Sequence, residues 1–283
     1  MTMYCTLDDA LRELGQATAS ATDDARLMIY IRNASARIDA LTGWRFEPFK
    51  STEHIGLGMT AINSAWRTIA LPGYAVALNS VTAYNTALTI STTVRGFPAN
   101  VTPFKNIQLV STSSDWYRTY YDSSYDPFVI VNADWGYHDN YAQAWQAEDT
   151  VQDAAGINAT VTTVTVADAD GTNWRNETPR FSAGQLIKIN SEWMRVTDTD
   201  TTAETLTVQR GVNGSTAAAH ALDDAISVWY PVDDVRRVVA RQAALLYKRR
   251  GAFEAPNQYG VGSGYPADLD ADLLGVVQVY VNG

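Results

Sequence analysis

The chain has 283 residues, so one or two domains is the expectation, and its 46% hydrophobic and 18% charged content is that of a folded protein with a substantial core rather than a disordered one. It carries 21 Lys and Arg against 31 Asp and Glu, a net charge of −10. That excludes nucleic-acid binding by broad phosphate neutralisation, but not an acidic surface past which DNA slides without sticking.

Thr6 with Asp9 three residues on is an N-terminal helix signal, and the short helix it opens should end at Gly15. Thr22-Asp-Asp starts a longer helix running to Gly43. Its Leu27, Ile31, Ala34, Ile38 and Leu41 recur at spacings of four and three, which places them on one face. Arg26, Arg32, Arg37 and Asp39 fall largely elsewhere. The plain reading is a helix packed on a core, with a subunit contact as an addition.

Residues 44–137 change period. The runs at 46–55, 68–73, 78–84, 106–111 and 128–131 are short, β-branched or aromatic and separated by turn residues, which predicts strands. Tyr117, Tyr120, Tyr121 and Tyr125 lie in a Ser- and Asp-rich stretch that reads as a loop, either partly packed or a contact surface.

From Glu148 the pattern becomes that of a small β-rich module. Residues 159–166 alternate small polar and β-branched residues, Asp168-Ala-Asp-Gly171 makes a turn, and 181–197 reads as a hairpin turning at Asn190-Ser-Glu192. Leu206–Gly214 gives a strand and turn, and Ala225–Trp229 closes the unit. Pro231 then opens a well-marked helix. Asp233 and Asp234 face its positive end, Lys248, Arg249 and Arg250 its negative end, and Gly251 stops it. The expected division is therefore 1–147 together with 233–283 as one body and 148–232 as a domain inserted in it. The expected fold class is α+β: a helical shell with short strands, interrupted by an all-β inserted domain.

Sites of chemistry are sparse in the sequence. The three histidines, His54, His138 and His220, share no metal-ligand spacing and read as surface or turn residues. Gly260-Val-Gly-Ser-Gly264 lacks the strand of a nucleophile elbow and the Lys-Ser/Thr of a phosphate loop, so it reads as linker. Asp268-Leu-Asp-Ala-Asp272 has Leu273 where a calcium loop turns on Gly, and reads as solubilising residues. The single cysteine, Cys5, cannot close an intrachain disulfide and suits a reducing compartment as a small hydrophobe. No run reaches the length of a membrane helix, and the N-terminus lacks signal-peptide features. These readings predict no enzyme, no cofactor and no metal.

Two resemblances give the pattern a direction. Outside the module the order is a helix ending in Leu41-Thr-Gly-Trp-Arg-Phe46, strands at Ile69-Ala-Leu-Pro72 and Ser80-Val-Thr-Ala-Tyr84, then Phe128-Val-Ile-Val and Trp135-Gly-Tyr137, then Pro231 and the helix ending Tyr247-Lys-Arg-Arg250. That order resembles the head–tail connector (adaptor, or head-completion) proteins of tailed bacteriophages, although in those the Gly-Tyr strand runs within a few residues into the Pro-started helix. The second covers Phe181-x-x-Gly184-x-x-Ile187-x-Ile189-x-x-Glu192-x-Met194-x-Val196 and Leu206-Thr-Val-x-Arg210-Gly211 through His220. It is similar to a small β module recurring in phage virion proteins. Glu192, Arg210 and His220 are open to two readings there, a binding site or the stabilisers of turns in a minimal β fold.

The connector resemblance implies a virion protein at the neck, made in the host cytoplasm. It implies a homo-oligomeric ring of twelve subunits, docked on the portal protein, meeting a tail or stopper protein, with DNA passing through and no membrane. On that resemblance the C-terminal segment would be an arm ordering on the portal through Leu269, Leu273, Leu274, Val276, Val277 and Tyr280. Arg26, Arg37, Arg236 and Arg241 would lie on subunit-contact helices, and Lys248, Arg249 and Arg250 near the channel. A tail or fibre module that recognises a host surface through the β insert is the alternative, and long helices closing both ends of the chain count against it.

Overall fold

The structure is a computed structural model and describes residues 2–16, 20–55, 62–63, 67–83, 86–110, 129–249, 275–276 and 278–280. The chain divides into two compact units, residues 48–141 and residues 1–47 together with 142–283. These joins fall elsewhere than the expected 147/148 and 232/233: the contiguous piece is 48–141, and the segments flanking it complete the other unit.

The contiguous unit is a seven-stranded antiparallel sheet of β1 (Phe49–Ile55), β2 (Ile62–Asn63), β3 (Thr68–Ala83), β4 (Thr86–Leu88), β5 (Val94–Phe97), β6 (Phe104–Leu109) and β7 (Val129–Trp135). The path runs β1-β7-β3-β6-β5, with β2 and β4 also on β3. β7 shows why the sequence takes this form. Val129, Val131, Ala133 and Trp135 are buried in strict alternation, which is the period of a half-buried strand. Val81, Val94, Ile107 and Ile69 complete that core. Pro72-Gly73, expected to end a strand, does not: β3 continues through it, and its register with β6 slips between Ala70 and Ala75. A local irregularity absorbs residues that cannot keep the ladder. Phe49 pairs with Trp135, so the first and last strands of this unit end side by side.

Among the described residues the other unit has the helices α1 (Leu7–Leu14), α2 (Ala21–Thr42) and α3 (Asp233–Arg249), further helical residues at 275–276 and 278–280, and a six-stranded antiparallel sheet. Its strands are β8 (Trp145–Thr150), β9 (Thr163–Thr165), β10 (Leu186–Ile189), β11 (Glu192–Asp200), β12 (Thr205–Gln209) and β13 (Ala225–Trp229), in the order β8-β13-β10-β11-β12-β9. Thr6 caps α1 in a full capping box with Asp9, and Gly15 and Gly43 end α1 and α2 in the left-handed conformation. Leu27, Ile31, Ala34 and Ile38 are buried, and α2 packs on α3. Each full burial of such an aliphatic side chain contributes about 1.5–3 kcal/mol. Leu41, read as part of that face, is instead 38% exposed. The tight turn of the module follows Asn190, which adopts a positive φ of 53°.

The expected fold class is corrected here. The protein is mostly β, two antiparallel sheets with few helices, and not a helical shell holding a β insert. The helices were conspicuous in the sequence because their caps and charges are local signals, whereas the strands, which together hold more residues than the helices, depend on partners distant in sequence.

Candidate functional site

Three clusters of charged and polar side chains stand out, all in the unit formed by residues 1–47 and 142–283. The first is the Glu192 cluster. Glu192 opens β11 and is fully buried. Its carboxylate accepts from Arg210 Nε at 2.7 Å and Nη2 at 2.8 Å, from the Gly211 and Ala218 amides at 3.1 and 2.8 Å, and from His220 Nε2 at 2.8 Å. Arg210 also donates to the carbonyls of Asn158, Val161 and Ala218 at 2.6–2.9 Å. Burial alone would raise the Glu192 pKa; the Arg210 hydrogen bonds, the Ala218 amide and His220 outweigh it and bring it down to about 2. An ionised carboxylate with five donors has no capacity left for a ligand or a proton transfer. Of the two sequence readings, this geometry supports the stabiliser of turns. It ties three separate loops to one strand end.

Of the surface or turn positions expected of the histidines, His54 is exposed, His138 is buried at a turn (6% exposed), and His220 is buried against Glu192 (4% exposed). His138 Nδ1 accepts from the Asn140 amide at 2.9 Å, closing a tight turn.

The second cluster joins the chain's two ends to the module. Asp9 of α1 takes Arg236 Nε and Nη2 of α3 at 2.9 and 2.5 Å, and Glu177 takes Arg236 Nη2 at 2.5 Å. Arg12 sits 3.3 Å from Asp9 and reaches the Thr178 carbonyl at 2.8 Å. Burial pushes the Asp9 carboxyl up, but Arg236 more than offsets it, so Asp9 stays ionised below the usual carboxylate range. Burial likewise opposes the charge on Arg236, and its two carboxylate partners override that and raise its pKa. These residues line an open cleft of about 320 Å³ that also holds Glu13, Asp233 and Arg237. Arg236 was read as a subunit-contact residue; it is engaged within its own chain.

The third cluster fastens the N-terminal segment. The Tyr4 hydroxyl and Thr2 Oγ1 donate to Asp39, the Tyr4 amide donates to Ser35 Oγ at 3.1 Å, and the Phe46 amide donates to Tyr4 Oη at 3.0 Å. Glu47, fully buried, accepts from the Met3 amide at 3.1 Å and from Arg195 of β11. Arg195 also donates to the Gly184 carbonyl at 2.8 Å. Gly184 has a φ of +102°, and a Cβ there would stand 3.2 Å from the Cys5 carbonyl oxygen, so glycine lets the module approach the N-terminal backbone. Burial pushes Asp39 up to about 6, with the Tyr4 and Thr2 hydrogen bonds offsetting only part.

The remaining sequence expectations distribute as follows. Arg26 and Arg37 lie on the exposed side of α2, and Arg241, Lys248 and Arg249 lie on α3. Val276 and Tyr280, expected in an extended arm, are 9% and 8% exposed. The Tyr280 ring sits edge-on to Phe46 at 4.9 Å and to Trp44 at 5.4 Å. Leu269, Leu273, Leu274, Val277, Arg250, the four tyrosines from Tyr117 to Tyr125, the Gly260–Gly264 stretch and the Asp268–Asp272 run lie outside the described residues.

Sequence reasoning missed Glu47, Arg195, Asp39 and Glu177 as members of these clusters. Glu47 between Phe46 and Pro48 carried one available signal, a charge inside an apolar run, which burial must pair. Among the described residues no three His, Cys, Asp or Glu side chains are set to hold a metal ion. Comparison with family models, with curated proteins and with solved structures returns no match for this chain.

Proposed function

We propose that the chain is a structural protein of a tailed-phage particle, one subunit of a ring that joins the portal to the tail around the DNA exit channel, and that it is not an enzyme. The observation that carries this reading is the packing of α2 against α3. These helices come from opposite ends of the sequence and both belong to the order of elements that carries the connector resemblance. In the fold they lie together, with Tyr30 and Tyr247 ring centroids 6.5 Å apart. The charged clusters support it from the other side, since their carboxylates are occupied by arginines and amides that hold the chain together. An acidic chain suits a conduit that DNA passes without gripping. The partners are then the portal, a tail or stopper protein and further copies of the chain, and no helix among the described residues is long and apolar enough to cross a membrane.

A tail or fibre module recognising a host surface is the second reading. The mostly β architecture removes the argument that stood against it, and Trp174 and Leu222 on the β module are 49% and 45% exposed. Cryo-electron microscopy of particles, with the chain located by labelling, separates the two. Density in a ring between portal and tail is the expected result. Density at the tail tip or on fibres overturns the connector reading.

A further inference from the structure

The sheet of residues 48–141 brings a lysine, a carboxylate and an asparagine into contact on one face. Lys50 of β1 pairs across the ladder with Asp134 of β7. Cross-strand partners share a face, and this one lies away from the core, because Ala133 and Trp135 on either side of Asp134 are buried. Lys50 Nζ is 3.1 Å from Asp134 Oδ1 and 3.5 Å from Oδ2. From the opposite side β3 brings Asn79, whose Nδ2 donates to the same Oδ1 at 2.8 Å. The register of β3 on β7 slips between Leu78 and Ser80, so Asn79 is the extra residue of a bulge. A bulge re-aims a side chain, and here it turns the Asn79 amide towards Asp134.

A cross-strand ion pair needs no asparagine. What Asn79 adds is an acyl group with a nitrogen that can leave, set beside an amine that can attack. One carboxylate oxygen touches both nitrogens, which is the position of a group that carries protons from nucleophile to leaving group. The side chains of Asp134 and Lys50 are 14% and 26% exposed, so most of their surroundings are protein, while Asn79 stands at the exposed rim. β7 is the one strand between β1 and β3. Two strand spacings, about 9–10 Å, therefore separate their backbones, a gap that a lysine and an asparagine side chain span when joined end to end. The flexible stem of the lysine lets Nζ move from the carboxylate to the amide carbon.

We infer that Lys50 and Asn79 become joined by an intramolecular amide bond, with Asp134 as the proton carrier. Lys50 first gives one ammonium proton to Asp134. The free amine attacks Cγ of Asn79, and a second proton of Nζ passes through the carboxyl group to Nδ2. The Cγ–Nδ2 bond breaks, the Nζ–Cγ bond remains, and ammonia departs with the proton first lent to Asp134, as ammonium. No oxidant, metal or co-substrate enters, and Asp134 ends as it began. The bond ties β1, the end of the strand path, to β3 across β7, so that β1 cannot peel away without breaking a covalent link. The inference is independent of the connector reading.

The test is the intact mass of the full chain, incubated folded and denatured for measurement. The parent is expected to lie below its encoded mass by one ammonia. Tryptic digestion is expected to leave Lys50 uncleaved and to yield a branched species joining the Lys50 and Asn79 peptides. Lys50→Arg keeps the positive charge but cannot form the bond, and Asp134→Asn removes the proton carrier. Both are expected to keep the encoded mass, with circular dichroism checking that each is folded. A folded parent still at its encoded mass after prolonged incubation overturns the inference. So does a loss of ammonia that persists in Lys50→Arg, which assigns it elsewhere, as to a cyclic imide at Asn213-Gly214. A loss of water in place of ammonia also overturns it, since that joins Lys50 to Asp134 itself. A folded Asp134→Asn protein that cross-links like the parent removes Asp134 from the reaction.

Discussion

Glu192 and Asp39 are both buried or half-buried carboxylates in one unit, yet their surroundings push them in opposite directions. Glu192 faces five donors and its pKa sits at about 2, below the ordinary 4.5. The stability it contributes is present above 4.5 and is lost as pH falls through 2. Asp39 has two hydroxyl donors against a larger desolvation, and its pKa of about 6 lies above the ordinary 3.8. Its ionisation works against the fold above pH 6, and protonation relieves this as pH falls from 6 towards 3.8. Urea titrations across this range should therefore show stability that rises on mild acidification and collapses on strong acidification. Asp39→Asn should flatten the first limb and leave the second. Glu192→Gln should destabilise by about 3–5 kcal/mol at neutral pH, because Arg210 is then left buried without a counter-charge. A Glu192→Gln protein as stable as the parent would show that the turns hold without the cluster.

At the scale of elements, the helices and the β module were legible from local chemistry. The Thr6–Asp9 box, Gly15, Gly43 and the acidic first turn of α3 all mark ends through contacts made within a few residues. The hairpin at Asn190 was equally plain, and the run at 128–131 was read as a strand, though β7 continues to Trp135. What escaped was set by partners distant in sequence. Pro72-Gly73 reads as a terminator, and only pairing with β6 and β7 carries β3 past it. Tyr280 reads as the end of a reaching arm, and only the aromatic floor of Phe46 and Trp44 brings it home. Glu47 and Arg195 meet across nearly 150 residues of sequence, which no spacing rule reports. The Tyr280 contact is a checkable element. Tyr280→Ala should destabilise its unit by about 3 kcal/mol through loss of a buried ring, measured by denaturation. No change would mean that the C-terminal residues leave the aromatic floor readily, as an arm does.

For the whole molecule, the position of the joins changes what a deletion does. A deletion of 148–232, the stretch expected to be an inserted domain, would not leave the rest of the chain intact. In the structure Leu7 donates to the Ala183 carbonyl, Arg236 bridges Asp9 to Glu177, and Arg195 pairs with Glu47, so the deletion would strip partners from both ends of the chain. The separable piece is 48–141, which has its own core. Expressed alone it should fold cooperatively, with dispersed amide resonances and a single unfolding transition. A collapsed state without fixed side-chain packing would show that it needs the rest of the chain.

The pairing of Phe49 with Trp135 has a consequence during synthesis. The sheet of 48–141 has all its strands once Trp135 has left the ribosome, and it can close while the remainder is still being made. The helices before it cannot. The buried face of α2 must wait for α3, which begins about 190 residues after α2 ends, a delay on the order of 10–40 s at ordinary elongation rates. Throughout that interval Leu27, Ile31 and Ile38 stand uncovered beside a finished domain. A nascent chain of this design is one for a chaperone to meet early, at its first fifty residues rather than its last.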